Sequence, residues 1–392
     1  MAVAFAATVP RVEAQPPRRS TFVRIACASE LGDSLPVVAP AGLAWTNGDS
    51  FVYLDGSEYR LAEIALRDLS VRRVYGREGD GPGEFRRPGA LGVSHEGGFL
   101  IWDAGRQRLI RTTAEFALED EASFQLPWST WGFVTVMAPV SDSVVAVAAK
   151  SWPTSPRVDS SEMALALLAR GSAGPRLVRR FPGDELIVYR TQADHGGELT
   201  SVLRAPFGAE TIVRLGPATS RSGFTYWVGR TTEPVLRSFR LDSSAPVDSL
   251  VIDAPAKAVT SSDRAQYWRE QAARFEESAS AAGMPENVWR PRFEQIRSQG
   301  VDFPKHKPIW EEFALDKHGG RWVRLYEDGP GARVWLHYTA TGRIAEQVRV
   351  PHTGPIGLSI VAQQHIVTTE RKPLTGEWQL CVYGPPSGRT SN

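Results

Sequence analysis

Two cysteines in 392 residues are too few for a disulfide-dense scaffold or a thiolate metal cluster, and no CxxC pair occurs. Charge of one sign is also missing. The chain carries 45 Lys and Arg against 44 Asp and Glu, a formal net charge of +1. An extended nucleic-acid surface needs a clear cationic excess, so nucleic acid is not expected as a partner. No apolar run approaches the ~18 residues of a membrane helix, so no membrane span and a soluble mature chain are expected. Catalytic signatures are equally scarce: there is no GxSxG elbow and no HxH or HExxH pair. The histidines (His95, His195, His306, His318, His337, His352 and His365) are scattered, and His95 and His318 read as exposed turn residues before Gly-Gly pairs. The glycines of GDGPGEF (79–85) lack the strand-to-helix context of a phosphate loop. Glu311-Glu312 reads as a solvated pair rather than a catalytic dyad, because neighbouring residues on a strand or helix point apart.

What the chain has in abundance is short β-runs broken by Gly, Asp, Asn and Pro. SFVYLD (50–55), GFLIWD (98–103), SVVAVAA (143–149), FTYWVG (224–229), RWVRLYE (321–327) and HIVTTE (365–370) are examples. Turn residues precede them at regular intervals. Gly48 and Gly97 lie 49 residues apart, Gly97 and Asp142 45, and Gly319 and Gln364 again 45. A repeat near 45 residues with about four strands is the period of a propeller blade. The longer intervals, Asp142 to Gly223 (81) and Gly223 to Gly319 (96), each read as one blade plus an insertion. The expected fold is therefore all-β, a six-bladed β-propeller over 21–385, with a helical insertion at 260–305 between the fourth and fifth blades.

The ends carry their own signals. The apolar run AVAFAATV (2–9), with small residues before a cut after Ala14, fits a secretory signal peptide over 1–14, although the usual basic start is missing. A start codon placed too far downstream would account for that absence. The expected location is secreted or periplasmic, and 386–392 is expected to be a disordered tail. The last blade, from Ile356, has room for three strands, and its outer strand can come from residues 21–29. Cys27 and Cys381 would then lie on neighbouring strands. They are expected to form a disulfide, the alternative being two buried thiols.

Within the insertion, Thr260 and Asp263 have the spacing of a capping box. Ala265, Trp268, Ala272, Phe275 and Ala279 recur at helical spacing, with Gly283 and Pro285 as stop signals. A second helix, kinked by Pro291, is expected over 286–299. The Trp268/Phe275 stripe is expected to pack on the propeller rim.

GREGDGPGEFRRPGAL (76–91) and FLIWDAGRQRLIRT (99–112) together resemble an NHL repeat through Gly79, Gly81, Pro82, Gly83, Phe85, Pro88, Asp103 and Arg108. More widely, the chain is similar to bacterial exported six-bladed propellers with one NHL-like repeat. PFGAETIVRLG (206–216), AVTSSD (258–263) and PIWEEFALDKHGGRWVRL (308–325) share that similarity. The motif residues are read as structural: the glycines for a tight crossing, Phe85 as its anchor, Pro88 for its exit, and Asp103 to bond the turn before Arg108. Arg86, Arg87 and Arg106 are the candidate ligand-binding residues, against a plain solvated surface. Trp128, Trp131, Trp310 and Trp322 are candidates for a sugar-stacking surface, against use in blade packing.

Two functions of different class remain. The leading expectation is a non-catalytic, monomeric binding module presenting a loop face to a protein, peptide or glycan, with no cofactor and no metal. Some propellers that the chain resembles are metal-dependent lactonases or lyases. The resemblance therefore also implies a hydrolase or lyase with Ca or Zn in the central channel, its ligands converging from several blades.

Overall fold

The computed structural model describes residues 16–31, 35–46, 48–124, 126, 133–151, 160–172, 174–192, 198–216, 223–281, 283–316, 318–328, 331–352, 354, 356–362, 364–372 and 375–386. The expected signal peptide (1–14) and residues 387–392 of the expected tail lie outside them.

Six antiparallel sheets follow one another along the chain. Blade 1 runs Pro40–Trp45, Ser50–Asp55, Arg60–Ala65, Val71–Tyr75, and blade 2 runs Pro88–Val93, Phe99–Asp103, Arg108–Thr112, Leu118–Ser123. Blade 3 runs Phe133–Ser141, Val144–Ser151, Ser160–Ala169, Arg176–Gln192, Glu198–Arg204. Blade 4 runs Thr211–Leu215, Thr225–Arg230, Val235–Arg240, Asp248–Val251. Blade 5 runs Trp310–Leu315, Arg321–Leu325, Gly331–Tyr338, Ile344–His352, and blade 6 runs Ile356–Ala362, His365–Arg371, Trp378–Gly384. The first strand of each blade contacts the first strand of the next, and blade 6 contacts blade 1 in the same way. The ring is closed.

Its core is divided among six seams between neighbouring blades. Strand alternation feeds two seams from one strand: Val52 and Leu54 pack toward blade 2, while Phe51 and Tyr53 pack toward blade 6. Phe99 and Ile101 likewise face blade 1, and Leu100 and Trp102 face blade 3. Sheets covered on both faces need continuous apolar runs, which is why SFVYLD and GFLIWD show no polar alternation. At about 25 cal/mol per Å² of apolar area, the hydrophobic effect is the main force holding such a ring together.

The N-terminal segment closes the structure in two steps. Arg18–Thr21 pairs in parallel with Ile344–His352 as a fifth strand on blade 5. Phe22 then inserts between blades 5 and 6, and Val23–Ala28 completes blade 6 against Trp378–Gly384. The second pairing matches the expected shared blade; the strand on blade 5 had no visible sequence signal. Cys27 sits directly opposite Cys381 with Cα atoms 4.2 Å apart, and the two are disulfide-bonded. Closing a loop of 354 residues restricts the unfolded chain by roughly 5 kcal/mol in the chain-entropy treatment, an upper figure because strain is ignored.

Both long intervals are resolved differently. The one in blade 3 is a continuation of the blade itself: Arg176–Gln192 outruns Ser160–Ala169 and folds back as a hairpin with Glu198–Arg204. The one between blades 4 and 5 carries two helices, α1 (Ser261–Ala281) and α2 (Glu286–Ser298, with Pro291 inside it). Thr260 and Asp263 form a reciprocal cap, Thr260 N–H donating to Asp263 Oδ2 at 2.8 Å and Asp263 N–H to Thr260 Oγ1 at 3.3 Å. The expected docking of the Trp268/Phe275 stripe on the rim is not what forms. The stripe packs with Ala279, Trp289 and Phe293, so the two helices bury each other's apolar faces in a small core of their own.

Candidate functional site

In blades 1 and 2 the second strand ends in a buried Asp that fastens the incoming chain. Asp55 accepts N–H groups from Val38 (2.9 Å), Ala39 (3.1 Å), Ser57 (2.9 Å) and Glu58 (3.0 Å), and the Tyr53 hydroxyl. Asp103 accepts those of Arg86 (3.1 Å), Arg87 (2.8 Å) and Gly105 (3.1 Å), and pairs with Arg108. Asp103 thus bonds the crossing as well as the turn. Phe85 is fully buried between the two blades, and Gly79 and Gly83 have positive φ (154° and 72°). Gly81 has no left-handed backbone; its N–H meets Glu84 Oε2 at 2.7 Å. Pro82 is exposed at the tip, while Pro88 is buried and opens the first strand of blade 2.

The three candidate arginines do not converge on a cavity. Arg86 and Arg106 both clamp Asp80, at 2.5 and 3.0 Å, and Arg87 is exposed. None of them lines the cavity of about 1180 Å³ beside α1. The candidate stacking surface does not form from its described members. Trp310 is fully buried with its Nε1–H on Glu233 O (2.8 Å), and Trp322 is buried against the His337 ring at 4.3 Å. Trp128 and Trp131 lie outside the described residues. His95 and His318 are exposed at their turns.

The cavity encloses about 1180 Å³ at the channel mouth. The first strands of blades 3 to 6 line it, joined by the Arg204–Glu210 loop and by Ser262, Gln266, Tyr267 and Glu270 of α1. A β-bulge shapes its floor. Trp310 pairs with Leu325 and Glu312 with Arg324, leaving Glu311 as an extra residue. The bulge brings both adjacent carboxylates to one guanidinium: Arg324 Nε lies 3.0 Å from Glu311 Oε2, and Nη1 lies 3.0 Å from Glu312 Oε2. Glu311-Glu312 is therefore not a solvated pair pointing apart. Arg324 also reaches Ser359 Oγ of blade 6 (3.0 Å), and Arg214 of blade 4 reaches Glu312 Oε1 (3.1 Å). Blades 4, 5 and 6 are thus joined through side chains around the axis.

A second cluster joins blades 3 and 4. Lys150 Nζ lies 2.8 Å from Asp184 and 2.7 Å from Glu210, and Arg204 bridges the same two carboxylates at 3.2 and 3.0 Å. A third fastens α1, where Lys307 meets Asp263 (2.8 Å) and Asp328 (2.6 Å). Burial alone would raise the Glu210 carboxyl, but Lys150 and Arg204 outweigh it and hold it below its ordinary value. At Glu311 the balance reverses: burial pushes the carboxyl up against the opposing pull of Arg324 and Arg333. Away from the cavity, between blades 5 and 6, Glu370 accepts hydrogen bonds from His352 Nδ1–H (2.8 Å), Thr368 Oγ1–H (2.8 Å) and the Tyr383 hydroxyl (2.5 Å). Burial raises that carboxyl, but these bonds win and lower it to about 2.

The described residues do not fit a channel cation. Among them no group of three or more His, Cys, Asp or Glu converges as metal ligands. Nor is any helix among them long and apolar enough to cross a membrane.

No family model matches the chain, and no curated protein matches it. Among solved structures, its fold is similar to a member of the DUF4221 family from Bacteroides vulgatus. The TM-score is 0.51 at 10% identity, over 93% of this chain and 97% of that one. A gluconolactonase from Xanthomonas campestris gives a TM-score of 0.47 at 11% identity, over 95% and 96%. At that level of identity the first likeness is one of fold, and the second carries no argument about function.

Proposed function

We propose that this chain is a non-catalytic, monomeric, extracytoplasmic propeller of the NHL-like kind, holding a protein, peptide or glycan ligand at the channel mouth beside α1. One observation carries the reading. A cavity of about 1180 Å³ has apolar and aromatic walls and a few polar clusters, whose Lys and Arg groups are already paired with carboxylates. Such a wall orients a ligand; it does not leave a nucleophile beside a base. The Cys27–Cys381 disulfide supports an oxidising compartment. The competing hydrolase with Ca or Zn in the channel finds no ligand set among the described residues.

The test is a thermal-shift screen of the disulfide-bonded chain against peptide and oligosaccharide libraries, beside a Gln266→Trp variant that fills the cavity from α1. Ligands that raise the melting temperature of the parent and leave the variant unmoved support the reading. Equal responses in both proteins, or none in either, would remove the cavity from consideration.

A further inference from the structure

We infer that the cavity takes a neutral saccharide, whose hydroxyls are read by the Glu311–Arg324–Glu312 cluster. The inference rests on the cavity being the binding site, and four observations narrow the ligand class.

Charge comes first. Every carboxylate lining the cavity except Glu270 has a Lys or Arg within ion-pair distance, and each lining Lys or Arg is likewise paired. A strongly acidic or basic ligand would have to displace a partner already in place. A ligand without formal charge does not.

Hydrogen-bonding capacity comes second. Paired carboxylates and guanidiniums still have unused lone pairs and N–H groups. Glu311 meets Arg324 through Oε2, and no protein hydrogen bond reaches its Oε1 among the described residues. Thr211, which lines the cavity and is 1% exposed, has a buried hydroxyl with no hydrogen-bond partner. A hydroxyl donates and accepts at one atom, so neighbouring hydroxyls match a wall where carboxylate oxygen and guanidinium N–H stand side by side. A peptide backbone separates those functions onto N–H and C=O, and is best met by an open strand edge rather than by a side-chain cluster.

The walls supply the third observation. Phe207, Tyr267, Tyr326 and Trp378 line the same space and offer flat apolar surfaces to the C–H faces of a ring. Phe207 is held at φ 56°, a left-handed backbone that a bulky residue adopts only where its surroundings impose it. Its ring is fixed between Phe303 (6.4 Å) and Tyr326 (6.3 Å), with the Lys307 ammonium 5.7 Å from its centre.

Size is the last. The space exceeds the roughly 300–1,000 Å³ of pockets for drug-sized ligands, which leaves room for more than one sugar ring.

Titration calorimetry of the full disulfide-bonded chain tests this with three probe sets: neutral malto-, cello-, xylo- and chito-oligosaccharides, oligogalacturonates, and uncharged pentapeptides. The expected result is binding of at least one neutral oligosaccharide, weakened about tenfold or more by Glu311→Gln, as expected for a lost charge-assisted hydrogen bond, and abolished by Gln266→Trp. The melting temperature of Glu311→Gln separates lost recognition from lost folding, and Tyr267→Ala on α1 provides a second variant expected to weaken the same ligand. Binding confined to oligogalacturonates or pentapeptides, still blocked by Gln266→Trp, overturns the saccharide while sparing the cavity. No binding of any neutral oligosaccharide overturns it as well, and a neutral ligand indifferent to Gln266→Trp overturns both.

Discussion

Blades 1 and 2 and the channel mouth both contain buried carboxylates, but the partners differ. Asp55 and Asp103 are met mainly by backbone N–H groups from 2 to 17 residues away, which fix where the chain enters each sheet. Glu210 and Glu312 are met by side chains 60 and 98 residues distant, which tie neighbouring blades together around the axis. The first kind specifies the fold, and any backbone could supply the donors. The second kind specifies a place, because particular residues must arrive together. A protein that used its acids only in the first way would have a channel mouth with no chemical character.

The contrast can be tested by removing one group at a time. The largest effect is expected from Asp55→Ala, which strands four N–H groups; a loss of about 3–5 kcal/mol is expected by denaturant unfolding, with Asp103→Ala close behind. A loss under about 1 kcal/mol would mean that water replaces the carboxylate. Next, Arg324→Met leaves Glu311 and Glu312 without their shared cation and should cost about 3 kcal/mol. Adding Glu311→Gln and Glu312→Gln should recover most of that, since the cluster serves the site more than stability; no recovery would place it with the fold-specifying kind.

A smaller effect concerns acid. Burial raises the Asp263 carboxyl, but hydrogen bonds from Lys307 and Thr260 outweigh it and lower it to about 2 from 3.8. A lowered carboxyl stabilises fully above its unfolded value and loses that contribution as the pH falls through its folded value. Protection of the amides at the start of α1, taken relative to their intrinsic exchange rate, should therefore fall between about pH 4 and pH 2, ahead of global unfolding. Asp263→Asn should remove this acid dependence, and its survival in that variant would contradict the role given to Asp263 in fastening α1. The smallest effect is expected from Arg86→Glu. This exposed partner of Asp80 should leave the denaturant midpoint nearly unchanged and cavity ligands unaffected.

The ring was legible in the sequence because most of its signals are local, turns near every 45 residues and apolar runs without alternation, and its closure because two cysteines 354 residues apart meet only if the ends share a blade. Less was legible where one element's fate depends on another. A helical stripe such as Trp268/Phe275 announces burial but not the surface that buries it, and α2 took the place of the rim. The blade 3 insertion reads as extra sequence, with no mark that it prolongs Arg176–Gln192. The site itself was hardly visible. Glu311-Glu312 pointed apart on strand geometry, and only the bulge against Leu325 and Arg324 turns both to one guanidinium. Lys150, Asp184, Arg204 and Glu210 form no motif, because the connections that unite them run through space. Arg86 and Arg106 attracted notice because the repeat left them without a folding role, yet Asp80 already occupies them.

The double placement of Arg18–Ala28 has a consequence for biosynthesis. That ribbon leaves the ribosome long before its partners, Ile344–His352 and Trp378–Gly384, with 354 residues separating Cys27 from Cys381. Seams between consecutive blades can assemble as translation proceeds, but the join of blade 6 to blade 1 and both docking steps of the ribbon must wait until blades 5 and 6 have been made. Maturation therefore ends in one late, long-range event, and a nascent chain stalled before residue 378 keeps a hydrogen-bonding edge for chaperones to cover.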